Sequence, residues 1–284
     1  MEIIDAHVHI YPPFLKEERD KIAESEEWFR ILTASKVHKW ATAEELIEAM
    51  DRDGIESSFV TTFAFYDQGL CREMNDYLFD AARRFPGRIK PMAVVSPAVR
   101  GAEAEVHRCA DMGAVGIGEL FPDGQLFSLA EDSDTWRLTR ACDERGLFVN
   151  IHTAEQTGHQ YPGKGEAGAV EAAKFVKHNP VTKIVFAHFG GGLWAYEAMP
   201  EMRLLLQHTF YDTAAMPWLY ESQVIDAIFA IGAGDKLLYG SDYPILSRKR
   251  FDPLIEGTKL TEEEKEQLFY KNAESFLAHK IIEK

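Results

Sequence analysis

The sequence predicts a single α/β domain, a (β/α)8 TIM-like barrel with an insert after its first strand. Three observations carry that expectation. Eight short apolar runs alternate with helical patterns to the end of the chain. A length of 284 residues suits one closed barrel, which typically takes about 250 residues. No glycine-rich phosphate loop follows the first run, which disfavours an open doubly wound sheet.

The elements follow in order. The first strand is EIIDAHVHI, and a long insert over residues 11–41 separates it from TAEELIEAMDRDGI, where Thr42 and Glu45 have the spacing of a capping box and Leu46, Ile47 and Met50 form an apolar helix stripe. SSFVTTFAF is the second strand. EMNDYLFDAARRFPG reads as a helix that stops at Pro86 and Gly87, before RIKPMAVVS as the third strand. AEAEVHRCADMG leads to AVGIGELF, DTWRLTRACDERG to LFVNIHT, and VEAAKFVKHNP to KIVFAHF. A helix around Met199 to Leu206 precedes TFYDTA, VIDAIFAIGAG precedes KLLYGSD, and a capped helix over Thr261 to Ala278 closes the unit, expected to span residues 1–284. Strands alternating with helices imply parallel pairing through right-handed crossovers.

Composition narrows the function classes. Lys and Arg number 31 against 46 Asp and Glu, a formal net charge of −15 that disfavours nucleic acid and anionic membranes as partners. No apolar run approaches the roughly 20 residues of a membrane span and no signal-peptide pattern opens the chain, so a cytoplasmic location is expected. Cys71, Cys109 and Cys142 are odd in number and widely spaced, which suggests buried thiols rather than disulfides or a thiolate metal site. A small-molecule substrate is the expected partner. The oligomeric state is left open, and a homo-oligomer is compatible with the sequence.

Chemistry is expected at the strand ends. A period of two places Asp5, His7 and His9 on one face of the first strand. His152 ends the fifth strand in phase with Phe148 and Asn150, and His188 ends the sixth in phase with Ile184 and Phe186. Asp242 ends the eighth in phase with Leu238 and Gly240, and Glu119 ends the fourth. These are the C-terminal ends of barrel strands, where (β/α)8 barrels hold their active sites. Gathering four imidazoles and two carboxylates at one mouth is costly unless a divalent cation satisfies them. The donors suit Zn2+ first, with Mn2+, Fe2+, Co2+ or Ni2+ accommodated, as one ion or two.

The segments DAHVH, GIGEL, NIHT, FAHFGG and YGSDYP together resemble the strand-end signatures of the amidohydrolase superfamily, in its branch of small metal-dependent hydrolases and non-oxidative decarboxylases. The resemblance implies a (β/α)8 barrel with a mononuclear or binuclear centre. It assigns His7, His9, His152 and Asp242 as ligands and His188 as a second-metal ligand or an acid-base group. Glu119 stands where many members carry a carbamylated lysine; a glutamate there, as in TatD-type relatives, can bridge two metals unmodified.

The leading expectation is therefore a metal-dependent hydrolase of a small molecule, acting at a C–N, ester or lactone-type bond through metal-activated hydroxide, with Asp242 shuttling the proton. The alternative is a non-oxidative decarboxylase with one metal and His188 as acid-base group. A TatD-like nuclease and a non-catalytic metal-binding barrel rank lower. Asp5 and Asn150 are candidates to orient ligands by hydrogen bonds. The glycines at 190–192 serve either ligand approach or a tight turn. Substrate recognition is expected from Trp28, His38 and Trp40 in the insert, from His159, Tyr161 and Lys164, from the segment AMPWLYES, and from Arg248 with its neighbours Lys249 and Arg250.

Overall fold

A computed structural model describes residues 2–278; residue 1 and residues 279–284 of the expected unit lie outside the described residues. Eight parallel strands follow one another around the sheet in sequence order: β1 (Ile4–His9), β2 (Ser57–Thr61), β3 (Ile89–Ala93), β4 (Gly116–Leu120), β5 (Phe148–Ile151), β6 (Ile184–Phe186), β7 (Thr209–Asp212) and β8 (Leu237–Leu238). The ring closes through backbone bonds between the first and last segments, in which Ala6 N donates to Tyr239 O at 2.7 Å, His9 N to Tyr243 O at 2.7 Å and Asp242 N to His7 O at 3.0 Å. The architecture is the expected (β/α)8 barrel. Its last strand, Leu237–Leu238, is shorter than the run KLLYGSD suggests, and the segment after it meets the first strand through those separate bonds.

Local chemistry sets the helix ends. Thr42 and Glu45 form a reciprocal capping box on the helix Ala43–Asp53, and Thr261 and Glu264 do the same at Glu262–Glu266. Each satisfies amide donors that the first helical turn leaves without partners. The helix expected from Glu73 begins earlier, at Gln68, because Asp67 accepts a bond from Leu70 N at 2.8 Å and caps it.

Packing forms layers. Outward-facing strand residues such as Val60, Ile117, Val149, Ile184 and Leu237 join the helices in the main core. Inside the barrel, Ile4, Phe59, Met92, Phe148, Val185 and Leu238 pack with Ala273 and Phe276 of the C-terminal helix (Asn272–Ala278). The Phe276 ring lies 4.8 Å from Phe148 and 4.7 Å from Phe210, so this helix plugs the N-terminal end of the barrel. The insert folds as the helices Pro13–Glu17, Arg19–Ile22 and Glu27–Ala34. Leu15, Ile22 and Phe29 dock there against Phe63, Phe65 and Phe121 beside the mouth. Among the described residues, no helix is long and apolar enough to cross a membrane.

Candidate metal centre

The six expected ligand residues converge at the C-terminal mouth, by less regular routes than a period of two predicts. In β1 the pairing register shifts between Asp5 and Val8. Ala6 consequently packs in the barrel interior and Val8 in the outer layer, although two residues apart they were expected on one face. The slip aims His7 and His9 inward. Ile184 and Phe186 also lie in the outer layer, so His188 is not in phase with them. It reaches the mouth because His188 and Phe189 take left-handed backbone, with φ of 56° and 58°. Asp242 likewise has a φ of 66°. Such conformations cost on the order of 1–3 kcal/mol each and persist where surrounding structure holds them. Gly118 precedes Glu119 at a φ of 132°, and a Cβ there would meet the Asn150 carbonyl oxygen at 2.1 Å, so only glycine serves.

Glu119 lies at the centre of the cluster. Its Oε2 faces His7 Nε2 at 3.4 Å and His9 Nε2 at 3.5 Å, while its Oε1 faces His152 Nδ1 at 2.9 Å and His188 Nε2 at 3.3 Å. Asp242 Oδ1 completes the first group, 3.6 Å from His9 Nε2 and 4.0 Å from His7 Nε2. Two donor groups result, His7 with His9 and Asp242, and Glu119 with His152 and His188.

The outer nitrogen of each imidazole points at an acceptor that carries no proton. His7 Nδ1 donates to Asp212 Oδ2 at 2.8 Å and His188 Nδ1 to Ala214 O at 3.0 Å. The contacts of His9 Nδ1 to Thr62 O and His152 Nε2 to Lys164 O are longer, each 3.4 Å. The outer nitrogens therefore keep their hydrogens, and the inner ones present lone pairs once a cation displaces the protons there. The inner nitrogens of His7 and His9 approach to 3.1 Å, as do those of His188 and His152. Lone pairs aimed at one another in a buried site, backed by a carboxylate, fit a divalent cation.

Electrostatics agree with the geometry. Burial would lower the pKa of His7, yet the carboxylates of Asp212 and Glu119 hold it well above the usual imidazole value. His188, also opposed by burial, is raised to about 9 by its bond to Glu119. Burial pushes Glu119 upward, but His7, His152 and His188 keep it well below the ordinary carboxylate range. Asp242 is raised by burial, which the neighbouring imidazoles only partly offset. Without a cation the cluster thus holds protons that a cation must displace.

Asp212, at the end of β7, drew no notice in the sequence reading. The signal was available, since it is an acidic residue ending a barrel strand, as Glu119 is. Asp5 behaves as a positioning group: its Oδ1 accepts from Ser241 N at 2.9 Å and His7 N at 3.2 Å. Among the described residues, neither polar atom of the buried Asn150 side chain has a hydrogen-bond partner, so it makes no bond to the six ligand residues. The glycines at 190–192 all have positive φ, and a Cβ at Gly191 would meet Ala154 O at 2.6 Å, so the run makes the tight turn leaving the sixth strand.

A cavity of about 460 Å3 opens above the cluster. Beyond the cluster its lining is mostly apolar and aromatic, including Tyr11, Leu32, Val37, Phe63, Phe121, Tyr161, Trp218 and Leu219, with Ser35, His38 and His159 as polar members. Among the described residues, neither lysine nor arginine lines it. Six expected recognition residues lie outside its lining: Trp28, Trp40, Lys164, Arg248, Lys249 and Arg250. Trp28 packs 6.5 Å from the Phe121 ring, behind the wall. Arg248 pairs with Asp252 and lies 5.2 Å over the Phe269 ring, drawn off by an acid four residues on. Lys249 and Arg250 share its short helical turn away from the cavity, and Trp40 supports His38 edge-on at 4.5 Å. Lys164 binds the carbonyls of Thr157 and His159 at 2.9 and 3.1 Å, holding the loop that carries His159 and Tyr161.

Comparison with known proteins places this geometry in context. A 5-carboxyvanillate decarboxylase from Novosphingobium aromaticivorans, complexed with manganese and 4-hydroxy-3-methoxy-5-nitrobenzoic acid, superposes with a TM-score of 0.75 at 18% identity over 98% of this chain and 96% of that one. A dihydroxybenzoic acid decarboxylase from Polaromonas, with bound manganese and the inhibitor 2-nitroresorcinol, gives 0.71 at 16% over 98% and 97%. A 2,6-dihydroxybenzoate decarboxylase from Rhizobium gives 0.68 at 18% over 98% of each chain. At these identities the likeness shows the shared fold. A comparison with curated protein sequences found no match. The sequence pattern of the amidohydrolase family matches residues 4–278, nearly the whole chain, and the protein belongs to that family.

Proposed function

We propose that this protein is a metal-dependent decarboxylase of small hydroxylated aromatic acids. One observation carries the reading: Asp242 is the donor most open to the aromatic cavity, its side chain 15% exposed against 0–9% for the other members of the cluster. The proposal moves away from hydrolysis as the leading expectation and toward its alternative. Structural neighbours that act on hydroxylated or methoxylated benzoates support it, as does a cavity whose walls suit a flat ring.

His7, His9 and Asp242 with Glu119 would hold one cation, and Glu119, His152 and His188 are placed for a second. When bound, the cation supplies the positive charge that an acid substrate needs in a cavity without lysine or arginine. Zinc and manganese both suit these donors. The aromatic walls set the ring over Asp242. Its carboxyl gives a proton to the ring carbon bearing the carboxylate, the bond from that carbon to the carboxylate breaks, and its electron pair restores the aromatic ring as carbon dioxide leaves. Solvent then reprotonates Asp242. His188, expected as the acid-base group in this chemistry, has its Nδ1 bonded to Ala214 O and its Nε2 directed at Glu119, which suits a ligand better.

Hydrolysis stays as a second reading on one observation, the division of the two Glu119 oxygens between two pairs of imidazoles, which suits two cations and activation of water. Incubation in D2O with Mn2+ or Zn2+ and a panel of hydroxybenzoates, lactones and amides separates the two. Decarboxylation predicts carbon dioxide release and one deuterium at the carbon that bore the carboxylate. Cleavage of lactones or amides with every benzoate untouched would reverse the order of the readings.

A further inference from the structure

We propose that Asp212 is a positioning residue that fixes the tautomer of His7 and ties the two halves of the donor cluster together. It touches neither the cavity nor the expected cation position, and it is fully buried. Its two carboxylate oxygens accept three N–H groups. Oδ2 takes His7 Nδ1–H at 2.8 Å, and Oδ1 takes the backbone N–H of His188 at 3.0 Å and of Ala214 at 3.0 Å. The Ala214 carbonyl in turn accepts His188 Nδ1–H at 3.0 Å. One short segment after β7 thus holds His7 of the first donor group and, through backbone and ring, His188 of the second.

The argument rests on proton inventory. An ionised carboxylate only accepts, so His7 must keep its hydrogen on Nδ1, and the lone pair of Nε2 stays directed at His9 and Glu119. The backbone N–H groups of His188 and Ala214 only donate. An asparagine at 212 would therefore have to leave its carbonyl oxygen with those two amides and turn its NH2 toward His7 Nδ1. Facing a donor, His7 would move its hydrogen to Nε2 and present N–H where a lone pair is needed. The same logic governs the histidine of the serine-protease triad when its aspartate becomes asparagine. Glu119 cannot substitute for Asp212, because its oxygens face the inner nitrogens.

The inference depends on the donor cluster alone, and its test uses Zn2+ without any substrate, so it stands or falls separately from the decarboxylase reading. In the Zn2+-loaded protein with 15N-labelled histidine, His7 is expected to retain Nδ1–H and to show the zinc-shifted signal at Nε2. Asp212→Asn is expected to show Nε2–H on His7. Zinc titration against a competing chelator should then find affinity at the His7 and His9 half weakened about 10- to 100-fold, with the Glu119, His152 and His188 half retained. Asp212→Ala removes all three hydrogen bonds and should weaken both halves. A His7 that keeps Nδ1–H in Asp212→Asn with unchanged zinc affinity would overturn the proposal. Should that variant fail to fold, wild-type His7 carrying its hydrogen on Nε2 would overturn it equally.

Discussion

At the N-terminal end of the barrel, Phe59, Phe148 and Phe276 meet ring to ring with centroids 4.8–6.2 Å apart, and strands β2 and β5 reach them with regular alternation. At the other end of the barrel, four imidazoles and Asp242 crowd around Glu119, delivered in part by a register shift in β1 and by left-handed backbone at His188 and Asp242. The apolar end accepts any well-packed large side chains, so regular strands suffice. The polar end must aim specific lone pairs at common points, and regular strands do not place six of them there. Among the described residues, left-handed backbone at residues other than glycine falls at Leu126, His188, Phe189, Ala215 and Asp242, all in segments that follow strands at the end that carries the chemistry.

That division can be broken or sharpened by substitution, beginning with the largest expected effect. Asp242→Asn should lower turnover about 10²- to 10⁴-fold with little change in thermal unfolding, checked by steady-state kinetics beside circular dichroism. Near-normal turnover would remove Asp242 from the chemistry. Phe276→Ala should do the converse, costing about 3–5 kcal/mol of stability in denaturant unfolding while metal content per folded molecule stays constant. Loss of metal there would mean that the two ends are not separable.

Metal loading should depend on pH in a direction set by the histidines. His7 and His188 are raised above the ordinary imidazole value, His188 to about 9, so both hold an extra proton through the neutral range in the metal-free protein. Cation binding must release those protons, and apparent affinity should therefore rise with pH through the neutral range. Titration calorimetry in buffers of different ionisation enthalpy would count the protons, and pH-independent loading would contradict the assignment. The smallest effect is expected at the cavity rim, where Trp218→Ala should raise KM by roughly a few-fold to tenfold, the 0.5–1.5 kcal/mol of one aromatic contact. An unchanged KM for every aromatic substrate would place the ring elsewhere.

The apolar end and the element order were legible in the sequence, because alternation and helical period are direct images of burial. His7, His9, His152 and Asp242 were legible too, as ligand-type residues ending predicted strands. The routes by which His188 and Asp242 reach the mouth were not, since a positive φ at a residue other than glycine leaves no mark in composition or spacing. Asp212 was missed although, as an acidic residue ending a predicted strand, it carried the same mark as Glu119; what spacing could not show was its partner His7, 205 positions away. Arg248 was misplaced although its partner Asp252 stands four residues on, a spacing that itself signals an intramolecular pair.

The claim on which the chemistry depends is that these two groups of donors hold a divalent cation. Anomalous diffraction from crystals grown with Mn2+ or Zn2+ tests it most directly. The account predicts an anomalous peak about 2.0–2.2 Å from the inner nitrogens of His7 and His9, with Glu119 facing it and any second peak beside His152 and His188. Crystals in which the ion occupies surface carboxylates while those imidazoles bind only water would contradict it.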